Sequence, residues 1–157
     1  MKERYALGLD GGASKILSQL FLINDKNQIL NESRPFEVNY KNLEKFDQSF
    51  SPVKLKVQKE QNLDKSITVL PKELRQSKVI IEAIIKSIEN FKSFDISVVG
   101  FCFPGIKTKK LDGISVMANG PRNLKMLDEL NKKINIELSS FTDIKKIYDD
   151  SLSCVYG

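Results

Sequence analysis

An α/β domain built on a mixed β-sheet is the fold class this sequence predicts, and three observations predict it. The first is a pair of apolar runs, residues 5–10 and 16–23, joined by a glycine turn. The second is a helical apolar stripe within residues 74–92. The third is the run Ile96 to Phe103, stopped by Pro104-Gly105. Short apolar runs bounded by turn signals read as buried strands, and a 3.6-residue stripe reads as a helix laid on a sheet.

The elements follow in order. Tyr5-Ala6-Leu7-Gly8-Leu9-Asp10 is a buried strand that ends on an acid, and Gly11-Gly12-Ala13-Ser14 is a tight turn. Ile16 to Ile23 is the second strand, Asn24-Asp25-Lys26-Asn27 a second turn, and residues 28–33 a third strand. Three strands joined by two short turns form an antiparallel meander. Residues 39–73 are polar, hold Pro52 and Pro71, and read as an insertion on the domain edge. Within them the alternation Val53-Lys54-Leu55-Lys56-Val57 suggests an extra hairpin. Val79, Ile80, Ala83, Ile84, Ile88 and Phe91 share one helical face. After the 96–103 strand come a short strand at 113–118, a helix from Leu124 to Ile134 and a strand from Ile136 to Phe141. Asp149 or Asp150 is placed to cap a last helix. Three antiparallel strands followed by helix, strand, helix, strand, helix is the element order of the ribonuclease-H-like fold, with a mixed sheet of about five strands and flanking helices.

Composition narrows the chemistry. A chain of 157 residues, 41% hydrophobic and 29% charged, suits one domain with a core of its own but not two. No apolar run reaches the roughly 18–20 residues of a membrane span, and Asp10-Gly11-Gly12 breaks the first apolar stretch too early for a signal peptide. Cys102 and Cys154 sit in apolar strings without metal or redox spacing, which suits buried free thiols in a cytoplasmic protein. There is no histidine, so Ser-His-Asp and Cys-His nucleophiles and histidine zinc sites are excluded. Acid–base work falls to carboxylates, lysine or tyrosine. The net charge of +5 fits either an anionic partner or a solvated lysine surface. Because the lysines are interspersed with acids, the solvated surface is the plainer reading, and nucleic acid is not the expected partner.

The strongest local signal is Leu7-Gly8-Leu9-Asp10-Gly11-Gly12-Ala13-Ser14-Lys15. Glycines let backbone N–H groups approach an anion, Ser14 adds a hydroxyl and Lys15 a cation. Asp10 is suited to Mg²⁺ held through water. A plain hairpin with glycines for geometry explains the same residues. The spacing is neither a Walker A loop nor a dinucleotide fingerprint, and a strand rather than a helix follows.

Gly8 to Lys15 resembles the first phosphate motif of the sugar-kinase/Hsp70/actin superfamily. It is most similar to the repressor/ORF/kinase (ROK) sugar kinases, with D-x-G-G-T-K, and to the BadF/BcrA-type ATPases and N-acetylglucosamine kinase, with D-G-G-x-T/S-K. Ser14 stands for the usual threonine and keeps the hydroxyl. Val99-Gly100-Phe101-Cys102-Phe103-Pro104-Gly105 resembles the ROK G-x-x-x-P-G strand end, and Gly113-Ile114 with Ala118-Asn119-Gly120-Pro121 resembles the segments that follow it. Tyr148 to Gly157 resembles the N-D-A-x-A-A-A-x-G helix start, with Asp149 in place of the asparagine. The resemblance covers most of the chain outside residues 39–73.

It implies phosphoryl transfer from ATP with Mg²⁺ to a hydroxyl of a sugar or amino sugar. Asp10 would hold Mg²⁺ through water, and Gly11, Gly12, Ala13, Ser14 and Lys15 the phosphates. Pro104, Gly105, Asn119, Gly120, Arg122 and Asp149 would face the substrate, and Asp150 would be the base. The superfamily's second, ATP-binding domain and the ROK Glu-x-Gly-His and zinc motifs have no counterpart in this sequence. A missing second domain or a second subunit is therefore the implied partner, with a homodimer as one route. The chain by itself is expected to be inactive, because a half-site does not exclude water or clamp ATP. Two alternatives stand beside this reading. One is a non-catalytic kinase-like interaction module. The other is a ribonuclease-H-like, metal-dependent nuclease, for which the 96–103 strand lacks a terminal acid and the glycine turn has no use.

Overall fold

The computed structural model of the chain describes residues 2–138 and 141–149. Its centre is β1 (Arg4–Gly11), paired antiparallel with β2 (Lys15–Ile23) and parallel with β5 (Ile96–Cys102). Leu7 and Leu9 of β1 are buried, as are Ile16 and Leu20 of β2 and Phe101 of β5. The far edge of β2 carries two short strands, β3 (Ile29–Glu32) and β4 (Phe36–Asn39). The break between them holds Pro35, which has no N–H for the ladder. Ser33 carries the pairing across the break: its N–H donates to the Leu20 carbonyl at 2.9 Å, and the Leu20 N–H donates to Ser33 Oγ at 3.1 Å. The result is the expected mixed five-stranded sheet with the meander at its start. β4 is an addition that Pro35 hides in the sequence.

The crossover from β4 to the parallel strand β5 runs through α1 (Leu55–Asp64) and α2 (Pro71–Glu89). Val79, Ile80, Ala83, Ile84, Ile88 and Phe91 are all buried, as their spacing predicts. After β5 come a two-stranded hairpin, β6 (Ile106–Lys107) and β7 (Ile114–Val116), and then α3 (Met126–Glu137), which packs on α2.

Two expectations are corrected. The Val53–Val57 stretch is not a hairpin: Leu55 onward is helical, and both Leu55 and Val57 are exposed. What holds α1 is polar. The buried side chain of Gln58 donates to the Met117 carbonyl at 2.9 Å and accepts from the Met117 N–H at 2.7 Å. Nor does the strand expected at Ile136–Phe141 start at Ile136: α3 runs on to Glu137, and residues 139–140 lie outside the described residues. Leu130 and Ile134 keep α3 in register with the core, the Leu138 N–H donates to the Ile134 carbonyl at 2.7 Å, and Ile136 points outward at 72% exposure. The chain reaches the free edge of β5 further on, at Tyr148. The Tyr148 N–H donates to the Phe101 carbonyl at 2.9 Å, and the Phe103 N–H donates to the Tyr148 carbonyl at 3.0 Å. The last helix expected after Asp149 or Asp150 lies outside the described residues, as does Cys154. No helix among the described residues is long and apolar enough to cross a membrane.

The segment 39–73 is tied to the rest by an ion pair with both side chains fully buried, Arg122 Nε to Glu73 Oε1 at 2.8 Å. Arg122 also donates to Glu73 Oε2 at 2.9 Å, to Gln61 Oε1 at 2.6 Å and to the Thr68 carbonyl at 2.9 Å. Glu73 in turn caps α2 by accepting from the Leu70 N–H at 2.9 Å. Burial pushes the Glu73 carboxyl up, but the Arg122 side chain and the Leu70 and Arg122 backbone donors outweigh it and hold it below the usual range. Removing one partner strands the other charge in the interior. Glu73→Ala is therefore expected to lose about 3–5 kcal/mol in urea unfolding, and Glu73→Leu with Arg122→Met to recover most of it. With a folded-state pKa below the unfolded one, the pair's contribution is present above the unfolded value and lost as pH falls through the folded one. The melting temperature should decline on acidification more in the parent than in the double variant.

Candidate functional site

β1 and β5 run parallel, so their carboxyl ends lie on one edge of the sheet, the edge where open α/β sheets receive ligands. Asp10 is the exposed acid near the end of β1 and is paired in register with Cys102, the last residue of β5. The Cys102 thiol donates to Asp10 Oδ1 at 3.3 Å. No cation among the described residues is ion-paired with Asp10.

The turn after Asp10 is shaped by what lies beneath it. A Cβ on Gly11 would sit 1.9 Å from Phe103 Cδ2, so only glycine lets the strand end close on that ring. The Gly12 N–H closes the turn onto the Lys15 carbonyl at 2.8 Å. Tyr40, buried at the start of the 39–73 segment, grips the turn twice. Its hydroxyl donates to the Gly12 carbonyl at 2.9 Å and its N–H to the Ser14 carbonyl at 2.9 Å. Burial, and then the negative charge of Asp10, push the Tyr40 phenol well above its ordinary value. Lys15 Nζ is 2.5 Å from Glu37 Oε2 on β4, a partly exposed pair, and the hydrogen bond from Lys15 holds the Glu37 carboxyl below its usual range.

The second half of the edge follows β5. Pro104-Gly105 turns the chain into the β6–β7 hairpin, and Gly105 has φ +94° with the Val116 carbonyl oxygen 2.4 Å from where a Cβ would stand. Lys107 then folds back under this turn. Its Nζ donates to the Phe103 carbonyl at 2.5 Å, the Gly105 carbonyl at 2.7 Å and Asp149 Oδ1 at 2.6 Å. The lysine side chain is 3% exposed and Asp149 44%. Lys107 was not singled out from the sequence; a lysine two residues beyond a strand-ending Pro-Gly was its only signal.

Asp10, Gly11–Lys15, Pro104, Gly105 and Asp149 thus gather at one sheet edge. Asn119 and Gly120 follow β7, where Gly120 and Gly105 both pack on Met117. Arg122 is not part of this surface: its guanidinium is fully buried and engaged by Glu73, Gln61 and Thr68. Asp150 lies outside the described residues. Among the described residues no group of three His, Cys, Asp or Glu side chains is placed to share a metal. A single exposed carboxylate still suits Mg²⁺, which keeps several waters and takes its other ligands from phosphate.

No family model matches the sequence, and no curated protein matches it. Among solved structures, the chain is similar to the Ppx/GppA family member of Aquifex aeolicus, at 9% identity and a TM-score of 0.38. The match covers 96% of this chain and 37% of that one, so the chain spans well under half the length of the solved relative. The fold assignment rests on the strand order and registers above.

Two outcomes are expected from these contacts. Tyr40→Phe keeps the packing and loses the bond to Gly12, at a cost of about 0.5–1.5 kcal/mol in chemical denaturation. In the parent, ultraviolet titration should find Tyr40 still protonated where an exposed tyrosine has ionised. Lys107→Met leaves two carbonyls and a carboxylate without their donor, and a loss of about 1–3 kcal/mol is expected by the same measurement.

Proposed function

We propose that this chain is the acceptor-side half of an ATP-dependent phosphotransferase that delivers phosphate to a sugar hydroxyl. The observation that carries the reading is the meeting of Asp10 and its glycine turn with Pro104-Gly105 and Asp149 at one end of two parallel strands. Phosphoryl transfer is mostly positioning and charge neutralisation, and the residues divide along those lines. Asp10 holds the hydrated metal. The remaining N–H groups of the 11–15 turn, the Ser14 hydroxyl and Lys15 take phosphate oxygens, with Lys15 exchanging Glu37 for phosphate. Mg²⁺, when bound, neutralises charge on the transferring group. Pro104-Gly105 and Asn119-Gly120 border the acceptor. Asp150, next to the anchored Asp149, receives the hydroxyl proton. Tyr40 and Lys107 are positioning residues that hold the two turns.

This assignment makes binding separable from turnover. Calorimetric titration with Mg-ATP, hexoses and N-acetylhexosamines is expected to give binding of both classes. Asp10→Asn should weaken Mg-ATP by about tenfold or more, and Asp150→Asn should weaken the sugar. A folded protein that binds neither would instead be a non-catalytic relative, and the phosphotransferase reading would fall.

A further inference from the structure

The one lysine of the glycine turn is already occupied. Leu17 faces Asp10 across one edge of β2 and Glu37 across the other. Opposed residues, and residues two apart on a strand, share one face of a sheet. Lys15, two residues before Leu17, is therefore the diagonal neighbour of both acids. It is paired with Glu37, whose Oε2 lies 2.5 Å from its Nζ. The Asn39 side-chain amide donates to the other carboxylate oxygen, Glu37 Oε1, at 2.6 Å. Both oxygens are thus engaged, and the carboxylate is held toward the lysine by a residue of its own strand.

The rest of the turn is arranged for an anion. The Gly12 and Ser14 carbonyls, which would repel one, are taken by Tyr40, and the Lys15 carbonyl by the Gly12 N–H. The Ala13 and Ser14 N–H groups and the Ser14 hydroxyl make no hydrogen bond among the described residues. Free donors and a cation held by a carboxylate therefore lie side by side. The same segment supplies both restraints: β4 pairs Asn39 with Lys15, and Tyr40 follows directly. We infer that Glu37 is a built-in competitor at the phosphate subsite, a carboxylate resting on Lys15 that an incoming phosphate has to displace. This role rests on the phosphotransferase reading, in which the turn binds phosphate, and adds a brake to it. Exchange of partners between solvated charges is small in energy, so the brake is worth a few-fold in affinity and not an on–off switch.

The test is calorimetric titration of the full chain with Mg-ATP and with magnesium pyrophosphate, for the parent, Glu37→Gln, Glu32→Gln and Lys15→Met. Glu37 is exposed, and glutamine keeps its length and the oxygen that accepts from Asn39, so the fold is retained. Glu32 is an exposed acid on the adjoining strand β3, and its loss controls for the removal of one negative charge. Glu37→Gln is expected to bind both ligands about two- to fivefold more tightly than the parent. Glu32→Gln should match the parent, and Lys15→Met should bind more weakly. Parent-like affinity in Glu37→Gln overturns the inference, as does an equal gain in Glu32→Gln or an unchanged Lys15→Met. Weaker binding in Glu37→Gln also overturns it, since the released lysine would then have turned to its other diagonal neighbour, Asp10. Binding that Asp10→Asn and Lys15→Met weaken, without a gain in Glu37→Gln, removes only the brake. Absence of binding in the parent and Glu37→Gln alike removes the phosphate role of the turn and the brake with it.

Discussion

β1 is hydrogen-bonded along both edges, and the rest of the structure follows from the two kinds of partner it has. The antiparallel partner, β2, demands a tight turn directly after the strand, so the chain reverses within a few residues of Asp10. The parallel partner, β5, demands a long crossover, and α1 and α2 supply it. Parallel pairing also fixes direction. The carboxyl ends of β1 and β5 coincide, which sets Asp10 beside Cys102 and the glycine turn over Phe103. Without the parallel pairing the turn would be separated from the Pro104-Gly105 bend.

The crossover is more than a connector. It returns to the sheet edge through polar contacts. Tyr40 holds the glycine turn, Gln58 pairs with the backbone of Met117 just before Asn119-Gly120, and Glu73 with Gln61 and Thr68 encloses Arg122 beyond them. The glycine turn and the Met117–Arg122 loop are thus held by one segment. Apolar burial would be less selective about register; a bidentate guanidinium or a paired amide accepts one arrangement. Buried ion pairs contribute little net stability, so specificity of placement is the better account of why this one is there.

What was legible in the sequence is what short-range physics controls. β1, its turn and β2 could be read because an apolar run, an acid and two glycines act within a dozen residues. α2 could be read because one face meets a continuous core. α1 could not, since its anchoring residue is a glutamine and its apolar residues face water. Ile136 misled because an apolar residue past the end of a buried stripe looks like the start of a strand, although nothing covers it. At the site, the local cluster Asp10–Lys15 was legible, and so was the Pro-Gly bend. The inward turn of Arg122 and the folding back of Lys107 were not. Each is decided by acceptors 40 or more residues away in sequence, Glu73 for the arginine and Asp149 for the lysine.

The charges at the sheet edge divide by how much water they keep. Arg122 and Glu73 keep none and have satisfied one another. Lys107 is enclosed while its partner Asp149 is half in water, so the pair has a fixed side and an open side. Lys15 and Glu37 both remain partly solvated, and a pair of that kind contributes little. Asp10 is exposed, with a thiol rather than a cation beside it. The sheet edge therefore carries locked charges where loops are held and solvated, exchangeable ones where the surface is open.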